Sequence, residues 1–431
     1  MHPYSACRAM LAVAVLAAVT LSAPARADTV TEWNQNASDA VHGIAGQGAI
    51  SIVHIAMVQT AVYDAVNAID RRREPYVAMP RAKRWYSQEA AAATAAYRVL
   101  MNPEAPVVTD AQFPSLVALI QPRYDAALAR IPDGPAKAGG IDVGEEAAAA
   151  LLEARVDDGR FGPFRFPIGT TVPQWRPEPA GSLNDPGAWL KDVRPFLVES
   201  SSQFGGKPPL ELTSRRYAKE FNEVKELGAA DSSARTEDQT NAARFWGTTN
   251  ATATWSAILR AVADQERRSL AENARLFALA YTSAADALIT TWTDKARFVF
   301  WRPLTAIGSA AEDGNDRTQP APEDAPPWTP VINAPPYPEH PSGLASLGGA
   351  LVRSLQVFYG TDWVAFGYRT AAGIERRYTR FSQVIDEIVD ARVWSGIHFR
   401  HADEQGALTG KRVAAWANRR YFNEMRCQRC C

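Results

Sequence analysis

Apolar side chains along this chain recur at steps of three and four far more often than at steps of two, the period of helices rather than strands. Between residues 51 and 69 they fall at Ile52, Ile55, Val58, Val62, Val66 and Ile69. Residues 89–101 are alanine-rich, and alanine is the strongest intrinsic helix former. Similar patterning predicts helices over 111–131, with Pro114 near the first turn, over 135–156 and over 215–227. Thr236 and Gln239 have capping-box spacing and predict a helix start at the run DQTNAARFWG. Further helices are predicted over 253–280, with an internal break, over 283–302, from Gly343 through Val357, and over SQVIDEIVDARVW. Strand-like alternation is scarce. The pattern predicts an all-α protein.

Prolines interrupt residues 159–209 and 314–341 too often for regular structure. Loops this long wrap a surface or build a site. The first is rich in aromatics (Phe161, Phe164, Phe166, Trp175, Trp189 and Phe196) and reads as a packed cover. The expected organisation is an N-terminal helical region with this cover, 28–230, a C-terminal helical region, 231–425, and a cysteine-rich tail, 426–431.

At the N-terminus, Arg8 precedes an apolar run over 9–21, followed by Ala25-Arg26-Ala27. This is the grammar of a secretory signal over 1–27, and the apolar run is too short to span a bilayer comfortably. A periplasmic or secreted protein is expected, and no later stretch reads as a membrane span. The mature region is long enough for two packed units, and the net charge of −1 argues against nucleic acid or acidic membranes as the main partner. Small-molecule chemistry is the default, and the alanine-rich helices would suit a homodimer. Cys7 leaves with the signal, while Cys427, Cys430 and Cys431 crowd the last five residues and form no disulfide framework.

Charge sits where this pattern forbids it. Leu288, Trp292, Lys295, Val299 and Arg302 follow one another at alternating steps of four and three, and Ile385, Ile388 and Arg392 share another face. Three permanent cations thus point inward, and an unpaired buried cation costs several kcal/mol, so a bound anion is the expected partner. Pro303 disfavours α geometry at Arg302, so a helix should end or bend there. Ser342 is a natural N-cap, and the free amides from Gly343 onward form an oxyanion cradle. Six positions separate Arg392 from His398, too far round a straight helix to converge unless Gly396 breaks it.

K-x6-RP, then PSG, then R-x5-H, in this order, resembles the three-part signature shared by vanadium-dependent haloperoxidases and type 2 phosphatidic acid phosphatases, including bacterial acid phosphatases. Looser similarity reaches AVYDAVNAID at 61–70 and RTEDQTNAARFW at 235–246, like the exported bacterial haloperoxidase-like branch. The resemblance implies a four-helix-bundle catalytic core, often doubled. It implies that Lys295, Arg302, Arg392, Ser342 and Gly343 hold oxygens of vanadate or phosphate. His398 matches the axial histidine, a vanadium ligand in haloperoxidases and the nucleophile in phosphatases. The implied substrates are peroxide and halide, or a phosphate ester.

One departure stands out: the family usually has histidine after PSG, and this chain has Leu344. Losing such an acid-base group costs roughly 10²–10⁴ in rate. Leu344 also continues an apolar stripe with Leu347, Leu351 and Leu355, so core packing accounts for it equally. His340 and His401 are candidates to replace the missing acid. The acid that orients the axial imidazole is expected at Asp403, or a backbone carbonyl does the work. Three readings follow: halide oxidation at bound vanadate, phosphate-ester hydrolysis through His398, and an anion-binding relative with neither activity or a metal-free rearrangement.

Overall fold

The computed structural model describes residues 28–425, except 104–105, 179–180, 248–249 and 321–325. The expected signal and the cysteine tail lie outside the described residues. The helices are α1 (Thr29–Ser38), α2 (Ser51–Asp70), α3 (Gln88–Leu100), α4 (Phe113–Ala129), α5 (Pro135–Ala154), α6 (Arg215–Leu227) and α7 (Glu237–Gly247). They continue as α8 (Ala251–Glu266), α9 (Leu270–Phe298), α10 (Pro303–Gly308), α11 (Gly343–Tyr359), α12 (Phe381–Trp394) and α13 (Arg400–Arg420). Among the described residues the protein is all-α apart from one antiparallel hairpin, β1 (Phe366–Arg369) with β2 (Glu375–Tyr378), which periodicity did not predict.

Two helical groups share one core. In the first, α2, α3 and α5 pack together, with α1 and α4 against them; in the second, α9, α11, α12 and α13 pack together. The groups meet where α2 lies on α9, and a continuous apolar cluster runs through both. Among the described residues α2 alone is long and apolar enough to cross a membrane, and it is buried in that cluster. Close approach of α11 to α13 depends on missing side chains: a Cβ on Gly410 would stand 2.0 Å from Ser346 O, and one on Gly406 2.3 Å from Ser342 O.

Two predicted boundaries were misplaced. The break expected within 253–280 falls at its centre, where Arg267 turns left-handed and Ser269 and Glu272 form a reciprocal cap. From there α9 runs unbroken through 280–283 and stops at Phe298, short of Arg302. Its end is set by the cover: Val299 turns left-handed, its carbonyl accepts the Trp175 amide at 2.8 Å, and the Trp301 amide donates to Pro173 O at 2.9 Å. The expected stripe through Val299 therefore ends there, and Arg302 instead opens α10 with extended backbone, as proline at the next position favours.

Buried carboxylates on the helices pin these irregular segments. Asp286 of α9 accepts the amides of Phe196, Leu197 and Val198 at 2.6–2.9 Å. Asp294 accepts Gly206, and Asp64 of α2 accepts Tyr76 and Val77. The backbone donors that prolines and bends leave without ladder partners are thus satisfied from the core.

Candidate active site

Three chain segments meet behind the start of α11. Lys295, in the last turn of α9, donates from Nζ to Pro338 O at 2.6 Å and Glu339 O at 3.0 Å. Arg302 donates from Nε to Tyr337 O at 3.1 Å and from Nη1 to Ile397 O at 2.9 Å. The Tyr337 ring lies beside both cations, 5.0 Å from Lys295 Nζ and 5.1 Å from Arg302 Cζ. Arg392, near the end of α12, reaches Trp246 O with Nη1 at 2.9 Å. Gly396, at φ +80°, turns the chain after α12, and His398 follows in that turn.

His398 joins the segments. Arg302 Nη1 lies 3.2 Å from its Nε2, and Glu339 Oε1 lies 2.9 Å from its Nδ1. A guanidinium can only donate, so Nε2 accepts and the ring proton sits on Nδ1, donating to Glu339. Burial, reinforced by Arg302, Arg392 and Lys295, holds the His398 pKa well below the ordinary histidine value, so the ring is neutral. Burial also lowers Lys295 well below its ordinary value and lowers Arg302 to about 10. Burial raises Glu339 to about 8, opposed by Arg302 and Lys295.

Several donors here have nothing to donate to. Ser342 caps α11 in extended conformation and its amide reaches Ala402 O, yet its hydroxyl makes no cap bond. That Oγ, Arg302 Nη2 and Arg392 Nε are buried and lack hydrogen-bond partners. Each such orphan costs about 1–3 kcal/mol. Gly343 keeps the helix start open, since a Cβ there would meet the Trp292 ring at 2.9 Å. Unpaired donors, three buried cations and a helix N-terminus are the donor set a tetrahedral oxyanion requires.

The remaining sequence candidates fall differently. Glu339, not Asp403, takes the Nδ1 proton of His398; Asp403 is fully buried and its carboxylate oxygens have no hydrogen-bond partner of ordinary geometry. Asp403 stands near Ser342 and Arg392, which pull against a burial effect that keeps its carboxyl well above the usual range. His340 and His401 stack on each other 5.4 Å apart, and their Nε2 atoms are held by Lys207 O at 2.8 Å and Pro208 O at 3.1 Å. Leu344 is only half-buried and lines a cavity with Arg392, whereas Leu347, Leu351 and Leu355 are in the core. Sequence reasoning missed Glu339 and the Trp246 carbonyl. An acid inside the PEHPSG segment was the available signal for the former; a backbone acceptor leaves none.

Residues 275–426 match the family described as the VCPO second helical-bundle domain, an interval that contains Lys295, Arg302, Ser342, Arg392 and His398. Over that interval the chain carries the second helical-bundle domain of the vanadium haloperoxidases. It is 34% identical over 100 residues to vanadium chloroperoxidase of Curvularia inaequalis, a match covering 21% of this chain and 15% of that relative. The fold is similar to a bacterial vanadium-dependent iodoperoxidase, with a TM-score of 0.76 at 21% identity, over 93% of this chain and 98% of the other. It is also similar to a bacterial vanadium-dependent chloroperoxidase in its holo form, with a TM-score of 0.69 at 14% identity, over 93% and 98%. Within the matched interval this chain combines a buried cationic cluster with leucine after the PSG segment.

Proposed function

We propose that this chain is an exported vanadium-dependent haloperoxidase-like enzyme that uses hydrogen peroxide to oxidise halide to hypohalite. The observation that carries the reading is the convergence of Arg302 Nη1 and Glu339 on opposite nitrogens of a buried neutral His398, with the orphaned donors of Arg302, Arg392 and Ser342 around it. Lys295, Arg302, Arg392, the Ser342 hydroxyl and the Gly343 amide would hold the oxygens of vanadate, and His398 would bind it through Nε2. Bound vanadate supplies a Lewis-acidic centre that polarises peroxide toward attack by halide.

The chain's own contributions are positional and electrostatic. Glu339 fixes the tautomer of His398, so that Nε2 carries the lone pair, which here accepts from Arg302 Nη1. The cations stabilise negative charge in a site from which burial excludes water. Leu344 cannot move a proton, and Asp403, beside Ser342 and with its carboxyl pushed up by burial, is the acid this site offers instead. Vanadate titration followed by peroxide-dependent bromination of a dye tests the reading: bromination should rise with vanadate and saturate, and its absence at saturating vanadate overturns it.

Phosphate-ester hydrolysis is the second reading, favoured by the unprotonated Nε2 of His398, the state a histidine nucleophile requires. Release of nitrophenol from its phosphate, blocked by vanadate, would support it. Oxyanion binding without either reaction would identify a relative that has lost both. Export rests on residues 1–27, and N-terminal sequencing of the secreted protein should begin after Ala27.

A further inference from the structure

Glu387 lies on α12 five residues before Arg392, with its side chain largely buried. Its Oε1 accepts two hydrogen bonds, from Trp246 Nε1 at 2.9 Å and from the Tyr378 hydroxyl at 2.7 Å. Its Oε2 accepts Arg376 Nε at 3.0 Å, and the same guanidinium reaches on to Asp238 of α7 at 2.6 Å. Arg376 and Tyr378 stand two residues apart on β2, so both side chains leave the same face of the hairpin, while Arg377 between them is exposed. One carboxylate thus ties α12 to the end of α7 and to the hairpin.

Trp246 carries that tie into the oxyanion site. Its carbonyl, one of the last in α7 and outside that helix's own ladder, accepts Arg392 Nη1 at 2.9 Å. The C-terminal end of a helix carries partial negative charge and suits a cation. A neutral carbonyl orients the guanidinium without neutralising it, and Arg392 Nε stays buried and unpaired. The carboxyl that acts on Arg392 by its charge is Asp403, so Glu387 reaches Arg392 through Trp246 instead.

We propose that Glu387 is a positioning residue for the oxyanion site: it locks the Trp246 indole and, through the Trp246 carbonyl, holds the Arg392 guanidinium in the orientation that keeps Nε free for the anion. Without the carboxylate the buried indole N–H loses its acceptor, the indole turns to find another, and the carbonyl of the same residue moves with it. The assignment deepens the oxyanion-site reading given above and rests on it.

The test measures phosphate affinity by equilibrium dialysis and stability by urea denaturation, both on the full chain. Glu387→Ala should weaken phosphate binding at least about tenfold. Trp246→Phe, which deletes the indole N–H and keeps the backbone carbonyl, should weaken it to a similar degree, and adding Glu387→Ala to it should cost little more, because both variants break the same link. Glu387→Gln separates positioning from stability. Two donors on Oε1 hold the amide oxygen there, so the bonds to Trp246 and Tyr378 persist while the ion pair with Arg376 is lost. That variant should be less stable yet bind phosphate as the wild type does. Wild-type affinity in a folded Glu387→Ala protein overturns this inference alone, as do additive losses in the double variant or a Glu387→Gln affinity as weak as that of Glu387→Ala. If Glu387→Ala does not fold, Trp246→Phe and Glu387→Gln decide: loss in the first with retention in the second sustains the inference, and any other pattern overturns it. Failure of the wild-type chain to bind phosphate overturns the oxyanion-site reading as well.

Discussion

Glu339 Oε1 accepts two hydrogen bonds from the same turn, one from His398 Nδ1 at 2.9 Å and one from the Phe399 amide at 3.0 Å. The carboxylate thereby fixes both the tautomer and the rotation of the imidazole. Glu339 is itself held through its backbone, because its carbonyl accepts Lys295 Nζ and its amide donates to Phe300 O.

Removing that carboxylate should act on the imidazole rather than on the fold. Glu339→Ala is expected to weaken vanadate binding and lower bromination by about 10–100-fold. Glu339→Gln, which keeps an acceptor oxygen, should recover part of the loss. Equilibrium dialysis with vanadate, together with dye bromination, measures both effects. Wild-type affinity in a folded Glu339→Ala protein would refute the positioning role.

Leu344 offers a gain-of-function test. Its side chain borders an open cavity, so an imidazole can enter without repacking the core. If proton transfer limits turnover, Leu344→His should raise bromination by about 10²-fold or more, with little change in vanadate affinity. An unchanged rate at saturating vanadate would mean that this chain has no proton-transfer deficit at that position.

Much of this architecture was legible from periodicity, because amphipathic helices declare their buried faces at steps of three and four. Lys295 and Arg392 were legible as candidates because each interrupts an apolar helical face, whereas Arg302 was legible through its K-x6-RP spacing, since the helix expected to carry it ends at Phe298. The end of α9 was not, since it depends on backbone pairing between Val299–Trp301 and a cover segment more than a hundred residues earlier, and a carbonyl has no sequence signature. Glu339 was visible as an acid, but only the fold shows that it lies closer to His398 Nδ1 than Asp403 does. The hairpin strands are too short for alternation to stand out.

Packing between α11 and α13 couples stability to the site. A methyl group at Gly406 would collide with the carbonyl of Ser342, the residue that caps α11 beside His398. Gly406→Ala should therefore destabilise by about 1–3 kcal/mol and weaken oxyanion binding as well. Gly410→Ala, which meets Ser346 O one turn further along α11, should cost similar stability with a smaller loss of binding. Chemical denaturation and phosphate dialysis separate the two, and equal binding losses would argue against local coupling at Ser342.

Asp64 makes stability depend on pH. Burial raises its carboxyl from the ordinary 3.8 to about 7, although the amides of Val77 and Tyr76 pull it down. The folded state then binds the proton more tightly than the unfolded chain, so its stabilising contribution is complete below about pH 4 and is lost as pH rises through about 7. The slope is at most about 1.4 kcal/mol per pH unit. Asp64→Asn removes the titration and leaves one of the two amides without its acceptor, a cost of about 1–3 kcal/mol that does not vary with pH. The stability difference between wild type and Asp64→Asn should therefore favour wild type near pH 4 and shrink steadily toward pH 7. Urea denaturation at several pH values measures that difference, and a constant gap would place the Asp64 carboxyl back in the ordinary range.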